Sequence, residues 1–485
     1  MGLIYSLQNE TIGFEDKVLF KIGSFNIFSD SKIGLIGKNG SGKSSLLTKL
    51  YEKLTEKKIK VAIVNQIISP TENEESLFSY ISKHIESYWD IAYEFDFEQK
   101  LSSLSGGERI ILEIELALNA HPEVLLLDEP TNHLDKKNLE YLIQRLSKLD
   151  IPFVVISHNT SFLDKVVNQI YAIADRNLTL YGGNYSFYKE QLNILKSSKL
   201  REFEVSNKKV KQIKERMKKD AITAVKTHSK LKSTKSDKST DRFAKGFFKH
   251  FGEINETRKL SEGEHDLEEA LIKKEELKQK VDKKAHIELI PSSFRNGQSI
   301  YSFDDINLEL NEKIKLKRFK FDLRFPDRVL IRGRNGSGKS SLIKYIINSV
   351  QSKHQHDISI LYLDQNYSLP DFNKTVLENM TSYSNLEYEN IRKILGNFLF
   401  IDDTDLRKIT KNLSGGERCR LSLAMASSKP ADVFILDEPT NNIDIDTKDV
   451  LVATMNDFKG CLIVVSHDLS FIDDIHLEKI IDLDE

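Results

Sequence analysis

Two glycine-rich octapeptides carry the residue types best suited to chemistry: GKNGSGKS at Gly37–Ser44 and GRNGSGKS at Gly333–Ser340. Gly-x-x-x-x-Gly-Lys-Ser between an apolar run and a helical pattern is a phosphate cradle. Its glycines let backbone N–H groups wrap phosphates, and the helix behind adds its positive end. In the first copy Gly37, Lys38, Asn39, Gly40, Ser41, Gly42 and Ser45 would line the nucleotide, with Lys43 on the β- and γ-phosphates of ATP and Ser44 on Mg²⁺. In the second, Gly333, Arg334, Asn335, Gly336, Ser337, Gly338 and Ser341 take those places, with Lys339 as the cation and Ser340 as the Mg²⁺ ligand. Asp128 and Asp437 end apolar runs and are expected in the Mg²⁺ shell. Glu129 and Glu438 follow at once and would take a proton from an attacking water. Gln66 and Gln365, after short strand-like runs, are suited to touch both metal and water. His158 and His467, in Val-Ile-Ser-His and Val-Val-Ser-His, are suited to hydrogen-bond the γ-phosphate.

These residues recur because the chain repeats itself. LSGGER at Leu104–Arg109 returns at Leu413–Arg418, and LLLDEPTNHLD at Leu125–Asp135 returns as FILDEPTNNID at Phe434–Asp444. Ser105 to Ser414, Asp128 to Asp437 and His158 to His467 are all separated by 309 positions, as one rigid unit copied twice requires. The elements that must hold the residues follow. Lys32–Ile36 and Val329–Ile331 enter the glycine loops, with helices expected from Ser44 and Ser340. Val124–Leu127, Phe153–Ile156, Val433–Leu436 and Leu462–Val465 are continuous apolar runs, typical of parallel strands covered on both faces. Leu3–Leu7 reads as a first strand. The expected fold is α/β, two P-loop NTPase domains at 1–188 and 291–485 joined by a helical hairpin at 189–290.

The hairpin is expected from helical stretches at about Tyr188–Lys230 and Glu256–Lys284. Leu192, Leu195, Phe203, Val210, Ile213 and Met217 would form one face, and Leu260, Leu267, Leu271 and Val281 the facing stripe, with Leu231–Thr240 as the turn. Residues 191–252 hold 18 Lys+Arg against 6 Asp+Glu in a chain of formal net charge -2, so one basic element is set between two acidic bodies. That arrangement points to a polyanion partner. Within it, Arg242, Phe243, Lys245, Phe247, Phe248 and Lys249 interleave cations with aromatics and are candidate RNA contacts, by phosphate pairing and base stacking. No run approaches the roughly 18 apolar residues of a membrane span, which excludes a self-contained membrane pump. Two cysteines, Cys419 and Cys461, exclude a disulfide framework and a four-cysteine zinc site. The opening MGLIYSLQNE has no secretory pattern, and a cytoplasmic compartment is expected.

LSGGE about twenty residues before a strand ending in Asp-Glu is the signature of ATP-binding-cassette (ABC) ATPases. Two such cassettes in one chain with DEPTNHLD and a charged helical linker resemble the ABC-F family. The resemblance implies a monomer with two intramolecular ATP sites formed head to tail. Ser105, Gly106 and Gly107 would cap the ATP on Lys339, and Ser414, Gly415 and Gly416 the ATP on Lys43. It places Phe14 at the adenine-stacking position, with Leu310 at the corresponding place in the second half. It also implies an ATP hydrolase whose partner is the ribosome, at the large-subunit (23S-type) RNA and P-site tRNA, with no membrane partner. The short interval between Gln66 and Ser105 leaves no room for an extra arm, and the sequence stops at Glu485 without a coiled coil. Together with YGGNYSFY at Tyr181–Tyr188, these features resemble the antibiotic-resistance (Lsa/Vga-like) members. Those act on lincosamides, pleuromutilins and group A streptogramins. A housekeeping factor for stalled ribosomes and the tandem ATPase of a small-molecule importer are the alternatives, and the long basic linker speaks against the importer.

Overall fold

The computed structural model of the chain describes residues 2–14, 17–66, 75–84, 91–132, 134–233, 266–274, 297–309, 315–334, 336–353, 358–441 and 443–483. The first cassette opens with two long antiparallel strands, β1 (Leu3–Phe14) and β2 (Lys17–Phe28). Strands β3 (Lys32–Gly37), β4 (Val61–Val64), β5 (Val124–Asp128), β6 (Phe153–Ile156), β7 (Gln169–Ala174) and β8 (Asn177–Gly182) complete an eight-stranded sheet ordered β1-β2-β8-β7-β3-β6-β5-β4. Strands β4, β5, β6, β3 and β7 run parallel, as the continuous apolar runs imply. Every residue of β5 and β6 is buried, because side chains of alternating parity meet helices on opposite faces. Val124, Leu126, Val154 and Ile156 pack with Leu46, Leu47, Leu50 and Leu54 of α1 (Lys43–Glu56). Leu125, Leu127, Phe153 and Val155 pack with Leu139, Leu142 and Leu146 of α4 (Lys136–Ser147). Among the described residues, further α-helices of this half are α2 (Leu77–His84), α3 (Gly106–Asn119) and α5 (Thr160–Val166).

The second cassette repeats the plan. A ribbon of β9 (Ser299–Glu309) and β10 (Lys315–Arg324) precedes a parallel sheet of β11 (Arg328–Arg332), β12 (Ile360–Leu363), β13 (Val433–Asp437), β14 (Cys461–Val465) and β15 (Lys479–Asp482). Its order, β12-β13-β14-β11-β15, matches β4-β5-β6-β3-β7 strand for strand. Helix α8 (Lys339–Lys353) follows β11, and α9 (Val376–Tyr383), α10 (Tyr388–Asn397) and α11 (Asp403–Leu406) lie between β12 and β13; Cys419 and Cys461 are buried free thiols in this half.

The chain divides into two compact units, 1–188 with 284–485, and 189–283. Helix α6 (Tyr185–Ser233) begins where Asn184 Oδ1 accepts the Phe187 N–H at 3.2 Å, so the Asn in YGGNYSFY is a cap. Within 189–283, Phe203, Ser206, Val210, Ile213 and Met217 form the covered face of α6 at three- and four-residue spacing. Leu195, expected on that face, is instead exposed. At about 100° per residue it stands about 80° around the helix from Phe203, at the margin of the covered stripe. In the helix 266–274 (α7), Ala270 rather than Leu271 is buried and Leu271 is exposed, so the inward position lies one residue earlier than expected. Leu260, Val281, the turn residues 234–240 and the basic-aromatic run 241–252 lie outside the described residues. Among the described residues, no helix is long and apolar enough to cross a membrane.

Candidate functional site

Each glycine loop joins a buried strand to a helix start, as the sequence implied: Gly37–Ser44 lies between β3 and α1, and Gly333–Ser340 between β11 and α8 (Lys339–Lys353). The helices begin at the lysines, one residue earlier than expected. Gly42 sits at φ +98, and a Cβ there would lie 2.9 Å from Leu19 Cδ1 and 3.0 Å from the Phe20 ring, so only glycine closes this turn. Lys43 is buried. Its ammonium donates to the carbonyl oxygens of Gly37 (2.8 Å) and Lys38 (3.1 Å), and Lys339 repeats this with Gly333 (2.7 Å) and Arg334 (2.9 Å). Both charges are thereby held across the mouths of their own loops. Burial lowers the Lys43 pKa, opposed by the negative charges of Glu129, Asp444 and Asp128. Asn335 lies outside the described residues, as do the side chain of Phe14 and Leu310.

Asp128 and Asp437 are the last residues of β5 and β13 and are buried there. Burial raises the Asp128 pKa, offset by a hydrogen bond with Ser44 and by Lys43. Oδ1 of Asp128 and Oδ1 of Asp437 are buried and, among the described residues, have no hydrogen-bond partner. A hard dication accepts such carboxylate and hydroxyl oxygens, so Asp128 with Ser44, and Asp437 with Ser340, fit Mg²⁺.

Glu129 and Glu438 occupy the left-handed region, at φ 51 and φ 48, a conformation that costs a non-glycine residue about 1–3 kcal/mol. Burial pushes the Glu129 pKa up to about 7 against the opposing pull of Lys43, and pushes Glu438 in the same direction. A carboxylate poised near neutrality is suited to proton transfer. His158 Nε2 lies 3.2 Å from Glu129 Oε1 and 3.1 Å from Asn39 Oδ1. His467 Nε2 lies 3.3 Å from Glu438 Oε1. Burial and the charge of Lys43 depress His158 to about 3, so its imidazole is neutral and can donate or accept a hydrogen bond. Gln66 and Gln365 both lie exposed after their strands.

Ser105 and Ser414 cap α3 and α12 (Gly415–Ala426) with closed capping boxes. Ser105 Oγ accepts the Glu108 N–H (3.2 Å) while Glu108 accepts the Ser105 N–H (2.8 Å). Ser414 and Glu417 do the same at 3.3 and 2.9 Å. The Ser-Gly-Gly-Glu motif is thus a helix start whose next N–H groups face outward. A Cβ on Gly416 would lie 3.1 Å from Thr447 Oγ1 of α13 (Ile445–Asp457), so its glycine also permits close packing of that helix. A cavity of about 510 Å³ brings Ser105 and Gly106 of the first cassette together with Gly336, Gly338, Lys339, Ser340, Ser341, Gln365, Glu438 and His467 of the second. At the other loop the Asn39 N–H donates to Asp444 Oδ2 of the second cassette at 3.2 Å.

That last contact had no counterpart in the reading of single motifs. Asp444 ends the repeated DEPTNNID, caps α13 by accepting the Thr447 N–H (2.9 Å), and reaches the opposite cassette with its other oxygen. Lys448, Asp468, Ser470 and Thr160 were also missed. The Asp-x-x-Thr cap pattern was the available signal for Asp444; nothing local marked the others.

The ABC transporter family model matches residues 20–132 and 316–441, which contain both loops, both signatures and both Asp-Glu pairs. The chain is 30% identical over 508 residues to the ATP-binding protein Uup of Buchnera aphidicola subsp. Acyrthosiphon pisum (97% of this chain, 79% of that protein). It is 29% identical over 507 residues to the ribosome protection protein VmlR of Bacillus subtilis (99% and 87%). It is also 29% identical over 399 residues to the ABC transporter F family member 5 of Arabidopsis thaliana (80% and 53%). Among solved structures, the archaeal ribosome recycling factor aABCE1, in complex with the ribosomal stalk protein aP1, superposes with a TM-score of 0.60 at 16% identity, covering 96% of this chain and 85% of that one. This is a likeness of fold. The chain belongs to the ABC-F family of ATP-binding-cassette ATPases and is an ATP hydrolase.

Proposed function

We propose that the chain is a cytoplasmic, monomeric ribosome-binding ABC-F ATPase that uses ATP to place its linker near the peptidyl-transferase centre and release bound antibiotics of the lincosamide, pleuromutilin and streptogramin A type. The observation that carries this reading is likeness to a ribosome protection protein over 99% of the chain, joined to a helix whose exposed residues include Lys208, Lys209, Lys211, Lys218 and Lys219. Exposed lysines along one helix suit RNA phosphates. The partners would be large-subunit RNA and the P-site tRNA region, with Arg242, Phe243, Lys245, Phe247, Phe248 and Lys249 as contacts.

In each ATP site the loop N–H groups and Lys43 or Lys339 would hold the phosphates. Ser105–Gly107 and Ser414–Gly416 would close over the nucleotide from the opposite cassette. Mg²⁺, held by Ser44 with Asp128 and by Ser340 with Asp437, would supply charge neutralisation of the β- and γ-phosphates. Glu129 or Glu438 takes a proton from water as its oxygen bonds to the γ-phosphorus and the bond to the ADP oxygen breaks. The neutral His158, together with His467 and the exposed Gln66 and Gln365, would orient water and phosphate. Because ATP favours the closed pair of cassettes, binding would set the linker and hydrolysis would free it.

Expression in a susceptible strain is expected to raise tolerance to those three drug classes, and deletion of residues 230–252 is expected to abolish it while ATPase activity survives. Full protection by the deleted form would remove the linker as effector. A second reading is a general translation factor that rescues stalled ribosomes, since the chain is equally similar to the ATP-binding protein Uup, whose name carries no protective role; unchanged tolerance on expressing the intact chain would select it.

A further inference from the structure

Lys448 lies on α13, four residues after Asp444, and is buried at the cassette interface. Its ammonium donates to Asp468 Oδ2 at 2.6 Å and to Ser470 Oγ at 2.5 Å. Ser470 Oγ is 3.0 Å from Thr160 Oγ1 of the first cassette. The same helix is fixed at its start by Asp444, which accepts the Asn39 N–H of the first loop. Asp468 directly follows His467, whose Nε2 is 3.3 Å from Glu438. Bonds therefore run without a break from Asn39 through Asp444, helix α13, Lys448 and Asp468 to the residue beside Glu438. The Lys448 charge also lies close enough to help depress His158 in the first site, and the Asp468 charge acts on Glu438 in the second.

The repeat does not copy this pair. At the 309-residue offset Lys448 corresponds to Leu139 and Asp468 to Asn159, which accepts the Phe162 N–H at 2.9 Å as a neutral cap. A buried ion pair thus stands on one side of a pseudo-symmetric interface and an apolar residue on the other.

We propose that Lys448 is a positioning residue that transmits the state of the Lys43 site to the Glu438 site, in that direction only. The inference rests on Glu129 and Glu438 being the general bases of their sites. One-way transmission is permitted because turnover, unlike binding, need not couple symmetrically.

The test uses the full chain and replaces both partners, Lys448→Leu with Asp468→Asn, which reproduces the pair of residues the first cassette carries. Removing both charges avoids leaving one buried and unpaired. Turnover at the second site is read with the first site locked on ATP by Glu129→Gln and, separately, with its phosphate contact removed by Lys43→Ala. The ratio of the two rates measures transmission, on the order of 5–150-fold for coupled sites. In the pair variant this ratio is expected to fall about fivefold or more. The reciprocal ratio, read at the first site with Glu438→Gln and Lys339→Ala, is expected to stay within about twofold.

An unchanged forward ratio overturns the proposal. An equal fall in both ratios overturns it too, since that identifies the pair as interface packing. If the double replacement lowers the melting temperature sharply, Lys448→Gln with Asp468→Asn, which also removes both charges but keeps a polar contact and the cap, is read in the same way. Native turnover in the Glu129→Gln Glu438→Gln protein would refute the base assignment instead, so the two failures are distinguishable.

Discussion

Replacing Glu129 with Gln separates catalysis from stability because the two effects have opposite signs. The carboxyl is 5% exposed, and burial moves its pKa from the ordinary 4.5 to about 7. At about 1.4 kcal/mol for each tenfold change in acidity, the folded protein carries on the order of 3 kcal/mol of penalty for holding this group ionised. A carboxyl whose pKa is raised by folding favours the folded state fully below 4.5. That advantage is lost as pH rises through the window to about 7. Glutamine resembles the protonated form in shape and carries no charge. Glu129→Gln is therefore expected to stabilise the first cassette by up to about 3 kcal/mol at pH 8 and by nothing near pH 4.5. The strained φ of 51 is untouched, so it contributes nothing to the difference. Turnover at that site is expected to fall by roughly 10²–10⁴ through loss of the base, with ATP affinity retained. Denaturant unfolding at pH 5 and 8 beside steady-state ADP release reads both quantities. A variant less stable than the native protein at pH 8, or one with native turnover at this site, would refute the reasoning.

Below about pH 7, ATPase activity is expected to drop near tenfold per pH unit, checked by a pH–rate profile; a fall starting only near 4.5 would place Glu129 outside the chemistry. Gly42→Ala forces a side chain into φ +98 and against Leu19 and Phe20, and is expected to cost at least about 1–2 kcal/mol and to weaken nucleotide binding at the first site, measured with a fluorescent ATP analogue. Glu115 is fully buried and accepts from Tyr141 Oη (2.7 Å) and Arg145 Nε (2.9 Å), so Glu115→Ala is expected to destabilise the first cassette by about 3 kcal/mol in denaturant titration. Changing Lys208, Lys209, Lys211, Lys218 and Lys219 to Gln is expected to flatten the salt dependence of ribosome binding, and an unchanged slope would return them to a solvated helix face.

Much of the site was readable because its residues sit at chain-local landmarks. A strand end, a glycine turn and a helix start each leave a signature within eight residues, and the constant 309-residue offset fixed the repeat that the sheet orders display. The capping role of Ser105 and Ser414 was implicit in Ser-Gly-Gly-Glu. The left-handed backbone of Glu129 and Glu438 was not readable, since glutamate has no local preference for it. The reach of Asp444 to Asn39 was also invisible, because it exists only once two cassettes are docked, and the Lys448–Asp468 pair because its partners stand twenty residues apart on different elements of the second cassette. Leu195 and Leu271 looked like stripe residues by type, but inward positions on a helix follow spacing, which favoured Phe203, Val210 and Ala270.

The most direct measurement is co-sedimentation of the Glu129→Gln Glu438→Gln protein with purified ribosomes and, in parallel, with membrane vesicles, in Mg²⁺ with ATP or ADP. An ATP-driven linker on the ribosome predicts a pellet with ribosomes in ATP, little in ADP, and none with vesicles. Recovery with vesicles, or no ATP-dependent recovery with ribosomes, would contradict it.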